Sequence, residues 1–168
     1  MGSGREEGFT YLAVLLATAT LTAAMGAAAT VYSQGAQREK EAELLFVGNQ
    51  FRQAIGSYYE RTLGGAKRYP LKIEDLLEDR RSPVPVHHLR KAYKDPITGK
   101  DLALIEAPGA SGIMGVASPS EEAPIKSANF RERDDAFKDM GKYADWKFTY
   151  SPVGLSVSQT GNTPPVAK

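Results

Sequence analysis

The sequence predicts an α+β chain in which a long N-terminal helix packs its second half on a small antiparallel sheet. Three observations predict it. Phe9–Tyr32 contains no charged side chain, and the next charge along the chain is Arg38. Residues 37–62 then place apolar side chains at helical spacing, and no proline occurs before Pro70. Beyond Pro70 the pattern changes to short alternating runs bounded by Pro, Gly and Asp, which suits strands and turns. A length of 168 residues fits one modest domain with an appendage.

At ~1.5 Å per residue the uncharged run is long enough to cross a ~30 Å hydrocarbon core. A globular helix rarely stays uncharged on every face over such a length, so residues 9–36 are expected to form a membrane-spanning helix. The run is rich in Ala and Thr, which makes it a weaker anchor than a Leu-rich span. Its threonine hydroxyls can bond back to their own helix carbonyls. A cleaved secretory signal is one alternative, with Ala27-Ala28-Ala29 as its processing site. However, the apolar run before it is long, and Glu6 and Glu7 stand against Arg5 where a signal wants net positive charge. A plain single-pass anchor is another, but it leaves unexplained the abrupt junction Gly8-Phe9-Thr10.

The helix is expected to continue past the membrane edge as an amphipathic stem. Leu44, Val47, Phe51, Ile55, Tyr58 and Tyr59 share one face, with Arg38, Lys40, Glu60 and Arg61 on others. Arg38–Glu41 and Lys40–Glu43 are spaced to pair at i,i+3. A helix over 9–63 would be ~80 Å long, with Gly26, Gly35, Gly48 and Gly56 as places to bend and Gly64-Gly65 as its stop. The charges Arg38, Glu39, Lys40 and Glu41 either mark the membrane surface or pair between neighbouring subunits.

After Tyr69-Pro70 a short helix is expected, with Ile73, Leu76 and Leu77 as its apolar side. Ser82-Pro83-Val84-Pro85 then breaks the chain. Asp95-Pro96-Ile97-Thr98-Gly99 is a turn signal ahead of strands at Leu102–Ala107, Ile113–Ala117 and Trp146–Tyr150. Between the last two lie a loop and a short helix around Arg133–Met140. The polar tail 153–168, with Pro164-Pro165, reads as disordered.

Composition excludes several functions. Without cysteine there is no disulfide scaffold, zinc ribbon or thiol chemistry. With 21 basic against 20 acidic side chains, no nucleic-acid role is expected. Enzyme motifs such as a P-loop, GxSxG or HExxH are missing, so no catalytic residue is expected. His87-His88 are adjacent and point apart on an extended backbone, so they read as a solvated loop pair. Glu121-Glu122 and Asp134-Asp135 read as exposed charge.

The leader junction carries a resemblance. A short charged leader ending in Gly8, followed by Phe9-Thr10 and an apolar helix that becomes amphipathic, resembles the type IV pilin-like family. The resemblance implies cleavage by a prepilin peptidase between Gly8 and Phe9, and methylation of the new N-terminal amine of Phe9. It divides the chain into a leader 1–8, an assembly helix 9–36, a periplasmic α+β domain 37–152 and a tail 153–168. The family usually has glutamate at the fifth mature position, pairing with a neighbouring subunit's amine; here that position is Ala13. Tyr69-Pro70, the short helix, the Asp95–Gly99 turn and three strands are similar to the G-type pseudopilins of type II secretion systems.

That similarity implies an inner-membrane, single-pass protein with a periplasmic C-terminal domain. Its partners would be other pseudopilins, prepilin peptidase, an inner-membrane assembly platform and lipid. The implied function is a pseudopilus subunit for protein export. The alternatives are a minor pilin of a pilus or competence system, and a membrane-tethered binding domain that never polymerises. No cofactor is expected. Calcium, which such pseudopilins hold in a late loop, would fall in Ser118–Asn129, which has no D-x-D or D-x-N spacing for it.

Overall fold

The computed structural model describes residues 4–62, 67–109 and 111–152, with the backbone alone for 4–8 and 26–30. The expected Gly64-Gly65 stop and the tail 153–168 lie outside the described residues.

Helix α1, Gly4–Glu60, has 57 residues and is therefore ~85 Å long. It begins before the expected start at Phe9 and runs unbroken through Gly26, Gly35, Gly48 and Gly56. Two of these glycines are packing notches. A Cβ at Gly48 would overlap the Phe148 ring, and one at Gly56 would lie 2.8 Å from the Tyr150 ring. The ~1 kcal/mol helical cost of each glycine is thus offset by the close seating of two aromatic side chains.

The stem stripe is buried as its spacing requires. Leu44, Val47, Phe51, Ile55 and Tyr58 all face the core, and the Tyr59 ring at its edge packs against that of Tyr69, centroids 4.7 Å apart and planes tilted by 40°. The short helix α2, Glu74–Leu77, buries Leu76 beside them. Asp75 holds its first turn by accepting from the amides of Leu71 and Lys72, both at 3.0 Å.

The sheet has order β1-β2-β3 and is antiparallel throughout: Ala103–Glu106, Ile113–Ala117 and Phe148–Thr149. Leu104 opposes Val116, and Val116 opposes Phe148. Central β2 is buried at every position, which explains its run of small and apolar residues. The third strand is shorter than the expected Trp146–Tyr150. Trp146 instead closes a 3-10 turn, its amide donating to Tyr143 O at 3.1 Å, so it is buried without joining the ladder. The ladder gains one further bond, Tyr150 N to Met114 O at 2.9 Å. The helix expected around Arg133–Met140 is likewise a 3-10 helix, Glu132–Phe137.

The Asp95–Gly99 turn forms as its residues require. Buried Asp95 accepts from the Thr98 amide at 3.0 Å, the Thr98 hydroxyl at 2.6 Å and the Ser118 hydroxyl at 3.0 Å. Gly99 adopts φ 73°, the left-handed region that glycine enters freely.

Among the described residues no helix is long and apolar enough to cross a membrane. The side chains of 26–30 lie outside that set, and Phe9–Met25 by itself falls short of the ~20 apolar residues a span needs. The expected spanning character is therefore not carried by the described segment.

Candidate functional site

Two regions are candidates: the exposed N-terminal half of α1 and the largely buried networks by which the head grips its C-terminal half.

From Phe9 to Met25 every side chain is exposed, and Val31, Tyr32 and their neighbours are exposed again. Leu12 is 64% and Tyr32 82% exposed, whereas Leu44 and Ile55 in the same helix are 0% exposed. The bare half thus presents an uncovered apolar surface far beyond the scattered apolar residues of an ordinary exterior. Three of its threonine hydroxyls are satisfied from within. Thr18 donates to Leu15 O at 2.9 Å, Thr20 to Ala17 O at 2.9 Å and Thr22 to Thr18 O at 2.8 Å. Threonines bonded back to their own helix are compatible with an apolar environment or with other helices.

The Gly8–Phe9 bond lies inside α1 rather than at its edge. Phe9 is 75% exposed, and Ala13 is exposed one turn further on. Phe9 and Ala13 thus lie on the bare rod.

At the collar, where the rod enters the head, Glu41 departs from the expected role in surface or i,i+3 pairing. It is buried, and one carboxylate oxygen accepts from the Ile125 amide at 2.6 Å, the Lys126 amide at 3.2 Å and the Tyr143 hydroxyl at 2.8 Å. Gln37 donates to the same tyrosine oxygen at 2.9 Å. Burial pushes the Tyr143 hydroxyl up to about 12, with the Glu41 carboxylate adding to the rise. The site is a lock: it fastens the loop after β2 onto α1.

At the far end of α1 a second network corrects the view of His88 as solvated. Its side chain is 1% exposed, lies 2.8 Å from the Ser57 hydroxyl and 3.2 Å from Asp79, and meets the Tyr58 ring edge-on at 5.6 Å. His87, in contrast, is exposed and contacts Leu77 O. Arg81 binds Asp79 through two nitrogens, at 2.8 and 2.7 Å. It also donates to Tyr58 O at 2.9 Å and stacks 3.5 Å over the Tyr58 ring.

The Arg81 hydrogen bonds hold the Asp79 carboxyl well below the usual carboxylate range, against the opposing effect of burial. A cation on the last carbonyls also complements the negative end of the helix dipole. Ser57, His88 and Asp79 stand in the order of a hydrolytic triad. Yet Asp79 is occupied by Arg81, and the imidazole is sealed from any substrate, so the geometry makes a clamp.

In the loop considered for calcium, Glu121 pairs with Lys142 at 3.0 Å, and Ser118 and Ser120 are buried in hydrogen bonds to their neighbours. Among the described residues there is no group of three or more His, Asp or Glu side chains placed to hold a metal ion. Asp134, expected as exposed charge, is buried and paired with Arg52 at 2.7 Å.

A groove of about 280 Å³ opens between α1 and the segment Lys126–Asp134, floored by Ala42, Leu45, Phe46 and Phe130. It was not legible in sequence, because its two walls lie some eighty positions apart in the chain and are brought together by the Glu41 lock and the Arg52–Asp134 pair.

Compared with protein-family models, with curated proteins and with solved structures, the chain matches none.

Proposed function

We propose that this chain is a structural pseudopilin of a type II secretion system, without catalytic activity or cofactor. In this reading the leader is cut after Gly8 and the amine of Phe9 is methylated. The rod 9–36 then lies in the inner membrane, bundled with the rods of other pseudopilins, and the head projects into the periplasm. The partners are other pseudopilins, the prepilin peptidase, the assembly platform and lipid. The observation that supports it is the division of one continuous helix into a half sealed in a small sheet domain and a half left bare and apolar. Such a rod gains its cover from lipid and from like helices, whose close approach small side chains favour.

Ala13 favours a second reading. A buried amine lacking an acidic partner there costs several kcal/mol, so the chain would be a minor or tip pilin subunit, or a tethered domain that stays monomeric. Intact mass and N-terminal sequencing of membrane-extracted protein, made with and without prepilin peptidase, test the proposal. Loss of residues 1–8 with a methylated Phe9 supports it. An intact leader leaves a simple anchor, and a cut near Ala29 leaves a secreted domain.

A further inference from the structure

Two adjacent clefts on the head share Arg133. The first is the groove described above. The second, of about 220 Å³, is lined by Arg52, Arg133, Phe137, Met140 and Lys147 among others. On α1 the lining residues of the two, Ala42, Leu45, Phe46, Asn49 and Arg52, are spaced to fall on one helical face. That face is ~15 Å long, the span of about five residues of extended chain. The ion pair between Arg52 of the second cleft and Asp134 of the first, at 2.7 Å, joins them, with Arg133 3.6 Å from the same carboxylate.

The combined surface is basic. Arg52, Lys126, Arg131, Arg133 and Lys147 line it against Asp134 and Asp145, and Asp134 is taken up by Arg52. Lys126, Arg131 and Lys147 have no ion-pair partner among the described residues; the Lys126 ammonium lies over the Phe130 ring, at 5.0 Å. Glu132 and Asp135 line neither cleft, and Glu43 borders the first from the α1 side. The positive charge of the first cleft thus stands on the wall opposite α1, above an apolar floor on which Phe46 is 55% exposed.

Asn49 and Asn129 add side-chain amides that make no hydrogen bond among the described residues. An amide side chain both donates and accepts, which matches the N–H and C=O groups of an extended peptide backbone. Residues 153–168 of this chain contain no Asp or Glu and do not supply the complementary charge. On the membrane reading above, Ala42 stands ~9 Å beyond the rod's end at residue 36, outside a headgroup layer of ~5–8 Å. We propose that the two clefts bind an extended acidic segment of a different protein. A bulky apolar side chain of that segment rests on Phe46, one carboxylate faces Lys126 and Arg131, and another faces Arg133 and Lys147 in the second cleft.

Selection of a displayed random-peptide library on the full-length, detergent-extracted chain tests this. Enriched sequences should place Asp or Glu on both sides of one bulky apolar residue. A fluorescent synthetic peptide of the enriched sequence should then bind, as read by anisotropy, and its Asn/Gln counterpart should not. Lys126→Glu with Arg131→Glu should weaken binding about 10-fold or more, Phe46→Ser about 5-fold and Lys147→Glu about 3-fold. Lys100→Glu, an exposed position outside both clefts, should leave binding within about 2-fold. All of these side chains are exposed or half-buried, so the unfolding transition of each variant should match that of the unmodified chain.

A selection that enriches no acidic sequence overturns the proposal, and so does an acidic peptide whose binding ignores Lys126→Glu with Arg131→Glu. Polyglutamate that binds as tightly as the selected peptide also overturns it, since only a general attraction of charge is then left. If the same variants lose binding to vesicles containing anionic lipid, or alter multimer formation, while no peptide binds, the clefts serve lipid or another copy and the proposal fails. None of these outcomes touches leader cleavage at Gly8, so failure here is distinct from failure of the secretion reading.

Discussion

The two halves of α1 share one backbone geometry and differ in everything their side chains meet. Residues 9–25 are exposed all round, with leucine, valine and aromatic side chains in the open. Residues 41–58 bury one stripe so completely that Leu44, Ile55 and the facing Phe148 and Trp146 have no exposed surface. The difference shows that helix formation and helix burial are separate matters here. The embedded half is stabilised by its own head, whereas the bare half exposes an apolar surface that only a partner or lipid can cover.

The largest effect expected from breaking this contrast is at the clamp. Arg81→Met leaves the buried Asp79 carboxylate with only His88 and the backbone amide of residue 81, and should cost about 3 kcal/mol, less than a fully buried pair because Arg81 is partly exposed. Denaturant unfolding of the detergent-extracted chain measures it. Gly48→Ala should come next, at about 2 kcal/mol: the overlap with Phe148 outweighs the gain of ~1 kcal/mol in helix propensity. The same substitution at Gly35, where space is open, should leave unfolding unchanged or raise stability. Equal effects at the two glycines would remove the notch explanation.

Glu41→Gln should cost about 1–2 kcal/mol, since a neutral amide oxygen replaces a carboxylate that accepts three bonds. Hydrogen exchange of the Ile125 and Lys126 amides should rise with it. At the small end, Leu12→Ala should leave unfolding of the head within about 0.5 kcal/mol, because Leu12 touches nothing there, while lowering membrane retention.

The pH dependence follows from the same networks. Asp79 is depressed, so its contribution is full above about 4, the ordinary aspartate value, and is lost as pH falls toward its lower folded value. Tyr143 and Tyr150 are raised to about 12, chiefly by burial. Their contribution is full below about 10 and is lost as pH rises toward about 12. Circular dichroism against pH, with tyrosinate absorbance recorded in parallel, should show both limits. Glu41→Gln should lower the Tyr143 transition and leave that of Tyr150 in place.

What could be read in the sequence was local and periodic. The apolar stripe Leu44, Val47, Phe51, Ile55 and Tyr58, the Asp95–Gly99 turn and the strand Ile113–Ala117 each depend on residues close in the chain, and each formed where its pattern lies. What escaped were residues whose meaning depends on distant partners. Glu41 looked like one member of a surface charge cluster, His88 like half of a solvated pair, and Asp134 like exposed charge. Trp146 fitted a strand alternation that a 3-10 turn overrode, and its buried indole N–H has no hydrogen-bond acceptor among the described residues.

The sequence by itself therefore determined the long helix, its change from uncharged to amphipathic character and the class of the domain behind it. Those properties arise from side-chain periodicity and turn chemistry, which act over a few residues. Only the tertiary structure decided that Gly48 and Gly56 are seats for aromatic rings, that Glu41 and Arg81 fasten the two ends of the stem, and that Lys126 and Arg131 stand over an open groove. Hydrogen bonds and close packing act over a few ångströms, and only folding brings residues so far apart in the chain, 23 positions for Arg81 and Tyr58 and 84 for Glu41 and Ile125, within that range.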